Sequence, residues 1–174
     1  MAAAAVGDLR VEALDRGRHD RASFTCGVAE LDDYLRQRAS QDVRRKANAV
    51  FVLIAGAEPR AVLGYFTLCA YALSPGVVPE AARRHLARYP LVSATLIGRL
   101  AIATAHQGRG LGGVVLVEAL RRALASADVV GSSMVVVDAL DESAARFCAA
   151  HGFLRLPDSA RLVLPMVTVA TLLG

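Results

Sequence analysis

Hydrophobic and polar positions along the chain repeat with two periods, which together predict a mixed α/β fold. Short alternating or continuously apolar runs indicate strands at 9–14, 49–55, 61–68, 91–103, 134–137, 153–156 and 161–169. Apolar residues three or four positions apart indicate helices at 29–39, 80–87, 110–127 and 141–150. We therefore expect a mixed, mostly antiparallel, twisted sheet of about six to seven strands, flanked by helices.

Capping and turn residues place several boundaries. Asp141 suits the N-cap of the helix at 141–150, and Gly152 suits its end. Pro165 falls inside the last predicted strand, where an edge or a bulge would accept it. No repeat or low-complexity linker divides the chain, so we expect a single domain over 1–174.

Composition excludes several classes of protein. The chain is 55% hydrophobic and 21% charged, which is typical of a globular protein rather than a disordered one. No apolar run approaches the roughly 18 residues of a membrane span, and Ala2–Ala5 has no basic flank typical of a signal peptide. The three cysteines and four histidines are scattered without ligand spacing. We expect a cytoplasmic protein with no metal site and no disulfide framework.

The stretch 44–99 holds the excess positive charge, with only Glu58 and Glu80 as acids. A phosphate-rich or otherwise acidic partner would explain this excess. An ordinary solvated surface is the alternative, because the chain has nineteen Arg and one Lys throughout. The basic residues of the stretch are Arg44, Arg45, Lys46, Arg60, Arg83, Arg84, Arg88 and Arg99.

A glycine-rich segment, Gly108-Arg-Gly-Leu-Gly-Gly113, follows a predicted strand and opens a helix. Glycines let a backbone approach a ligand closely, and the free N–H groups of a helix N-terminus favour phosphate. The string also satisfies the dinucleotide fingerprint, with Asp138 as a possible ribose acid. Its late position, the short chain after it and the spacer 103–107 argue against a dinucleotide; a plain glycine turn is the third interpretation.

Two spaced motifs favour a different cofactor. Gln107-x-x-Gly110-x-Gly112 resembles the Q/R-x-x-G-x-G/A signature of the GCN5-related N-acetyltransferase (GNAT) superfamily. Asp141-Glu-Ser-Ala-Ala-Arg-Phe-Cys-Ala-Ala-His-Gly-Phe153 resembles the helix that forms the second signature of that superfamily. The two motifs in order, with a strand between them, are more specific than either alone.

A narrower resemblance covers nearly the whole chain. The chain is similar to the acetyltransferase toxins of bacterial toxin–antitoxin pairs, which acetylate the α-amino group of aminoacyl-tRNA and block translation. The resemblance implies an aminoacyl-tRNA substrate, a ribbon-helix-helix antitoxin and a homodimer. The matching segments are Phe24-Thr-Cys-Gly27, Leu31-Asp-Asp-Tyr-Leu35, Ala39-Ser-Gln-Asp42, Gly64-Tyr-Phe-Thr-Leu68, Tyr89-Pro90 and Gly98-Arg-Leu-Ala101.

The resemblance also implies a site for acetyl-CoA, in a cleft where the strand ending at Ile102 splays from the strand at 134–137. Backbone groups of the first strand would pair with the pantetheine arm, and the glycine loop would hold the pyrophosphate. The implied cofactor-binding residues are Leu100, Ala101, Ile102, Gln107, Gly108, Arg109, Gly110, Leu111, Gly112, Gly113, Asp141 and Phe147.

The expected general acid is where this sequence departs from the superfamily. Cys148 stands where the family usually has tyrosine, and a thiol reaches less far from the backbone than a phenol. Three interpretations are open: Cys148 donates a proton through water, another hydroxyl such as Tyr65, Tyr71 or Tyr89 replaces the phenol, or the transferase is attenuated. General acid catalysis typically contributes about 10²–10⁴-fold, so we expect a weakened transferase.

The basic residues complete the predicted site. We expect their side chains to contact tRNA phosphates, with Arg99 nearer the acceptor end. An acetyltransferase acting on a small amine or a protein N-terminus is the nearest alternative, and a catalytically silent CoA-binding regulator is another. The predicted substrate-binding residues are Arg44, Arg45, Lys46, Arg83, Arg84, Arg88 and Arg99.

Overall fold

The computed structural model describes residues 8–157 and 159–174, so the Ala2–Ala5 run lies outside the described residues. Its seven strands are β1 (Leu9–Ala13), β2 (Ala49–Ala55), β3 (Gly64–Leu73), β4 (Val92–Ile102), β5 (Met134–Asp138), β6 (Leu154–Arg155) and β7 (Arg161–Pro165). They form one sheet in the order β1-β2-β3-β4-β5-β7-β6. The β4–β5 ladder is parallel, whereas the β1–β2, β5–β7 and β6–β7 ladders are antiparallel. The predicted mixed, mostly antiparallel sheet is confirmed.

Helices account for most of the remaining regular structure. A π-helical turn, Tyr34–Arg38, joins the first two helices, and a 3₁₀ turn, Thr104–His106, follows β4. The helices are α1 (Ala29–Asp33), α2 (Ala39–Arg44), α3 (Glu80–Arg83), α4 (Leu111–Ala127), α5 (Glu142–Ala150) and α6 (Met166–Leu173).

The chain divides into two compact units, each with its own buried cluster. The first unit holds the described residues up to Thr67 together with Arg99–Glu118, and the second holds Leu68–Gly98 and Ala119–Gly174. The cluster of the first unit includes Phe24, Tyr34, Leu35, Val52, Tyr65 and Ala101. The cluster of the second includes Leu73, Val78, Val92, Met134, Val136 and Val163. The expectation of one domain over 1–174 stays a prediction.

The C-terminal segment corrects the sequence-based prediction. The last strand ends at Pro165 rather than continuing to 169, and helix α6 starts at the next residue. Pro165 has φ −58°, the backbone angle that a proline ring imposes and that leads readily into a helix. Because proline has no N–H for a ladder, the strand stops where the helix begins.

Three other elements differ clearly from their predicted bounds. The helix predicted at 80–87 ends at Arg83, and Ala82 is its only buried residue. Leu86, beyond the helix, still packs against the cluster of the second unit. The strand predicted at 61–68 instead runs from Gly64 to Leu73. The helix predicted at 29–39 is interrupted by the π-helical turn, which shifts the side chains that follow it.

Candidate functional site

The glycine loop, residues 107–110, lies in the first unit between the 3₁₀ turn after β4 and the first residue of α4. Gly108 and Gly110 both have φ +77°, a left-handed conformation that other residues adopt only with strain. No heavy atom lies within 4 Å of where a Cβ would stand on either glycine. The loop residues are exposed, so a ligand can reach the N-terminus of α4, a helix of 17 residues. The first N–H groups of a helix have no partner within it and can bind an anion.

Hydrogen bonds from a distant segment hold the base of this loop. The backbone N–H of Thr104 donates to the carbonyl of Thr25 at 2.8 Å, and its hydroxyl donates to the same oxygen at 3.1 Å. The Gln107 side-chain amide donates to the carbonyls of Cys26 and Ile102, at 2.9 Å each. The side chain of Gln107 therefore braces the loop from within the protein. Its backbone N–H, which was expected to face phosphate, makes a long 3.4 Å bond to Thr104 O.

The end of β4 offers a second set of backbone groups. The pairs of β4 with β5 run from Ala94 to Ile97, and β4 continues to Ile102. The N–H of Ala103 donates to Leu63 O at 2.7 Å, and successive residues of a strand point their hydrogen-bonding groups to opposite edges. The backbone groups of Leu100 and Ile102 therefore point away from β3, whereas those of Ala101 point toward it.

Arg99 takes part in a contact within the first unit. Its guanidinium carbon lies 3.6 Å from the centroid of the Tyr34 ring, a cation–π arrangement. The Tyr34 hydroxyl donates to Asp42 at 2.9 Å, and Asn48 donates to the same carboxylate oxygen at 3.0 Å. Burial and the Asp42 hydrogen bond raise the pKa of Tyr34. One face of the Arg99 guanidinium thus contacts the Tyr34 ring. The predicted contact of Arg99 near the acceptor end of tRNA would use the other face.

Helix α5 in the second unit carries the other signature. The Asp141 carboxylate accepts the Ala144 N–H at 2.8 Å, which confirms the predicted N-cap. Phe147 is half-buried, with its ring 4.6 Å from that of His151. Cys148 is 4% exposed, and burial raises the pKa of its thiol to about 11. The thiol is therefore protonated at neutral pH and shielded from solvent.

The three hydroxyls weighed as substitutes for the missing phenol have different surroundings. Tyr65 is fully buried and donates to Leu31 O at 2.6 Å, and burial raises its pKa, so it is poorly placed to donate a proton to a ligand. Tyr71 is half-buried and accepts a hydrogen bond from Arg161, whose guanidinium also lies over its ring. Tyr89 is 70% exposed, in the segment after α3.

The predicted tRNA contacts form two exposed groups. Arg44, Arg45 and Lys46 end α2 in the first unit, and the other group surrounds α3 in the second. Arg84 and Arg88 are exposed, as is Arg83, whose Nε donates to Val78 O at 3.0 Å. Arg83 therefore also holds the backbone of its own segment.

The residues that brace the loop carry no signature in the sequence pattern. Thr25 and Thr104 were not singled out, and Gln107 was assigned to the ligand rather than to the fold. The segment containing Thr25 was noted only as part of a resemblance. Cys26 and Gln107 are 81 positions apart along the chain. No periodic pattern in the sequence links residues at that separation.

Among the described residues, no helix is both long and apolar enough to cross a membrane. The sheet, the loop that opens the helix after β4 and the capped helix after β5 together define a protein of the GNAT fold. No protein-family model matches the sequence.

Relatives and solved structures narrow this class. A tRNA-acetylating toxin of Mycobacterium tuberculosis is 32% identical over 156 residues, which are 89% of this chain and 91% of that protein. A protein of Sinorhizobium fredii that carries the name toxin TacT is 28% identical over 94% of both chains. The chain belongs to the family of GNAT-fold tRNA-acetylating toxins.

Solved structures agree with this assignment. AtaT complexed with acetyl-methionyl-tRNAfMet superposes with a TM-score of 0.86 at 27% identity, covering 96% of this chain and 100% of that one. A Tyr-to-Phe mutant of AtaT bound to acetyl-CoA and the C-terminus of its antitoxin AtaR gives 0.80 at 26% identity, covering 96% and 99%. A mutant of KacT gives 0.87 at 25% identity, covering 95% and 99%.

Proposed function

We propose that this protein transfers the acetyl group of acetyl-CoA to the α-amino group of an aminoacyl-tRNA and thereby blocks translation. The observation that carries the proposal is the exposed, left-handed glycine loop at the start of a long helix, in a chain 32% identical to a tRNA-acetylating toxin. The AtaT complex with acetyl-methionyl-tRNAfMet supports the same substrate class.

The loop fits a pyrophosphate. The space where side chains would stand on Gly108 and Gly110 is free of protein atoms within 4 Å, so a phosphate can approach the backbone. The free N–H groups of residues 108–113 supply donors, and the partial positive charge at the start of α4 favours an anion. Arg109 is exposed beside them and adds a full charge.

The strand end completes the proposed cofactor contacts. Leu100 and Ile102 direct their backbone groups away from β3. These groups are the proposed partners of the pantetheine arm, which would pair with them as a neighbouring strand does. The Ile102 carbonyl already accepts from Gln107, so its N–H is the group left for a ligand and the proposed donor to a developing oxyanion. Ala101, which is 5% exposed, contributes packing instead.

Acetyl-CoA, when bound, supplies a thioester that a neutral α-amine can attack, with a thiolate as the leaving group. The protein's own contribution is mainly positioning, by which the loop and strand hold one reactant against the other. Cys148 is the proposed proton source. Its thiol, with a pKa raised to about 11, holds a proton at neutral pH but gives it up less readily than an ordinary phenol of pKa about 10. We therefore expect a slow transferase.

The exposed basic groups are the proposed tRNA contacts. Arg44, Arg45 and Lys46 form one, and the residues around α3, Arg83, Arg84 and Arg88, form the other. Their exposure leaves the charges available to phosphate oxygens, and Arg83 and Arg99 each keep one intramolecular contact. Such contacts make binding fall steeply with salt concentration.

The proposed partner is a small antitoxin of the ribbon-helix-helix type, and the proposed assembly is a cytoplasmic homodimer. The AtaT structure with the C-terminus of the antitoxin AtaR supports an antitoxin partner. Co-purification with the product of a neighbouring short gene tests the partner. Sedimentation of the isolated protein tests the dimer.

The decisive experiment incubates the protein with labelled acetyl-CoA and a mixture of charged tRNAs, and then identifies the acetylated aminoacyl groups. We expect label on the α-amino group of one or a few aminoacyl-tRNAs and none on uncharged tRNA. Label on free amines or on protein N-termini instead would overturn the proposed substrate.

A second candidate function is a CoA-binding regulator without turnover. The buried thiol at Cys148, in place of the family's phenol, is the observation that favours it. Acetyl-CoA binding without transfer to any charged tRNA would select this function, whereas slow transfer would select the first.

A further inference from the structure

Asp32, in α1 of the first unit, is one of the few buried charged residues among those described, with 6% of its surface exposed. One carboxylate oxygen accepts the Cys26 N–H at 2.8 Å, and the other accepts the Thr25 hydroxyl at 3.2 Å. Hydrogen bonds to an ionised acceptor are roughly twice as strong as neutral ones, and burial limits their replacement by water. The carboxylate therefore fixes the backbone of residues 25 and 26.

Those same two residues present their carbonyls to the glycine loop and to the 3₁₀ turn directly before it. Thr25 O accepts from the backbone and hydroxyl of Thr104, and Cys26 O accepts from the Gln107 amide. Residues 107–110 are exposed and have no apolar side chain to pack. The position of the loop therefore depends on these hydrogen bonds rather than on burial.

The π-helical turn after α1 adds a third anchor on the same segment. Arg36 donates through its guanidinium to the carbonyl of Phe24, directly before Thr25. Phe24 is 2% exposed and packs edge-on against Tyr65, with the ring centroids 5.5 Å apart. Residues 24–26 are thus held by Asp32 of α1 and by Arg36 of the π-helical turn, and two of them, Thr25 and Cys26, bond the base of the loop.

We infer that Asp32 is a positioning residue for the acetyl-CoA loop, acting through Thr25 and Cys26 and their bonds to Thr104 and Gln107. The inference rests on the proposed function, since it assumes that the loop binds acetyl-CoA. Without the carboxylate, residues 25 and 26 lose the acceptor that orients their carbonyls. The loop then samples other backbone conformations, and binding must restore the competent one.

The test compares Asp32→Ala with Asp33→Ala, a matched control because Asp33 is the next residue of the same helix, carries the same charge and is exposed. The dissociation constant and stoichiometry of acetyl-CoA are measured by calorimetry, and tRNA binding by filter retention. We expect Asp32→Ala to weaken acetyl-CoA about tenfold with unchanged stoichiometry, and tRNA less than about twofold. Asp33→Ala should leave both unchanged.

Partial unfolding would lower the stoichiometry and leave the dissociation constant of the folded fraction alone, so the two effects are separable. Asp32→Asn keeps one acceptor for the Cys26 N–H, and Thr25→Val removes only the hydroxyl bond; we expect each to weaken acetyl-CoA about threefold. A double-mutant cycle with Gln107→Ala should show coupling, because both residues act through Cys26.

Acetyl-CoA affinity equal to wild type in Asp32→Asn and Thr25→Val, or losses that add independently with Gln107→Ala, would overturn the inference. Equal weakening of acetyl-CoA and tRNA in Asp32→Ala would also overturn it, as a general structural effect. Failure of the wild-type protein to bind acetyl-CoA would instead refute the proposed function.

Discussion

The glycine loop of the first unit and helix α5 of the second carry the two signatures of the family, and they keep different amounts of its chemistry. The loop retains its left-handed glycines and is braced by Thr104 and Gln107. Helix α5 retains its Asp141 cap, but a buried thiol replaces the phenol at 148. The capped helix is therefore kept, but it lacks the phenol that the family usually carries at this position.

We propose on this basis that acetyl-CoA binding and acetyl transfer are separable in this protein. The proposed cofactor site depends on the backbone of the loop, which hydrogen bonds to Thr25 and Cys26 maintain. The proposed proton donor is the single side chain of Cys148. Variants that change one region and leave the other intact therefore test the separation.

Cys148→Tyr should restore the missing general acid. We expect kcat for acetyl transfer to rise by about 10²-fold, with the KM for acetyl-CoA changed less than about twofold, because the loop is untouched. Single-turnover acetylation of charged tRNA measures the effect. Phe147→Tyr is the matched control, since it adds the same phenol at a neighbouring position. An unchanged rate in folded Cys148→Tyr would show that no acid is missing.

Gly110→Ala should impair binding and leave the chemistry alone. A residue with a side chain costs about 1–2 kcal/mol in the left-handed conformation, so acetyl-CoA should bind about tenfold more weakly. Calorimetric titration measures this. Gly131→Ala is the control, because Gly131 is exposed, also has open space around it and lacks a positive φ. Equal affinity in the two variants would mean that the loop conformation is unimportant.

Neutralising Arg84 and Arg88 together should weaken the binding of tRNA but not that of acetyl-CoA. We expect tRNA affinity to fall about fivefold at moderate salt, with the slope of log K against log salt reduced by about 1.5, because two phosphate contacts are lost. Acetyl-CoA affinity should stay the same. The control neutralises Arg10 and Arg16, which are exposed outside both basic groups. A parallel loss of acetyl-CoA binding would contradict the assignment.

Alkaline pH should lower the stability of the folded protein through one buried thiol in each region. Burial raises the pKa of Cys148 to about 11, and burial followed by the Asp32 hydrogen bond raises that of Cys26 to about 11. Above the unfolded value of about 8.5 only the unfolded chain ionises, so stability is full below that pH and falls as pH rises toward 11.

The expected loss at pH 9.5 is about 1.4 kcal/mol or less for each thiol. Urea unfolding across this range measures it, with Cys148→Ala and Cys26→Ala each removing one contribution from the slope. An unchanged slope in both variants would show that neither thiol ionises on unfolding.

Elements governed by local chemistry were predicted well. Strand β2 has the predicted bounds 49–55, since a continuous apolar run carries its own signal. The Asp141 cap lies three residues from the N–H it accepts, and helix α4 starts one residue after its predicted first position. The glycine spacing alone indicated that a glycine loop opens that helix.

Elements whose bounds depend on packing were predicted less well. The helix predicted at 80–87 stops at Arg83, although Leu86 beyond it still packs against the cluster of the second unit. Pro165 ends a strand and caps helix α6 rather than lying inside a longer strand. The residue type at 148 can be read from the sequence, but the burial that raises the pKa of the Cys148 thiol follows only from the packing around it.

The class of fold, the two family signatures and the cysteine at 148 can be read from the sequence, because they depend on residue types and on short spacings along the chain. What holds the loop in place depends instead on the tertiary structure. The bond from Gln107 to Cys26 joins positions 81 residues apart, and such a contact has no period along the chain because the sheet and the helices on it bring the two together.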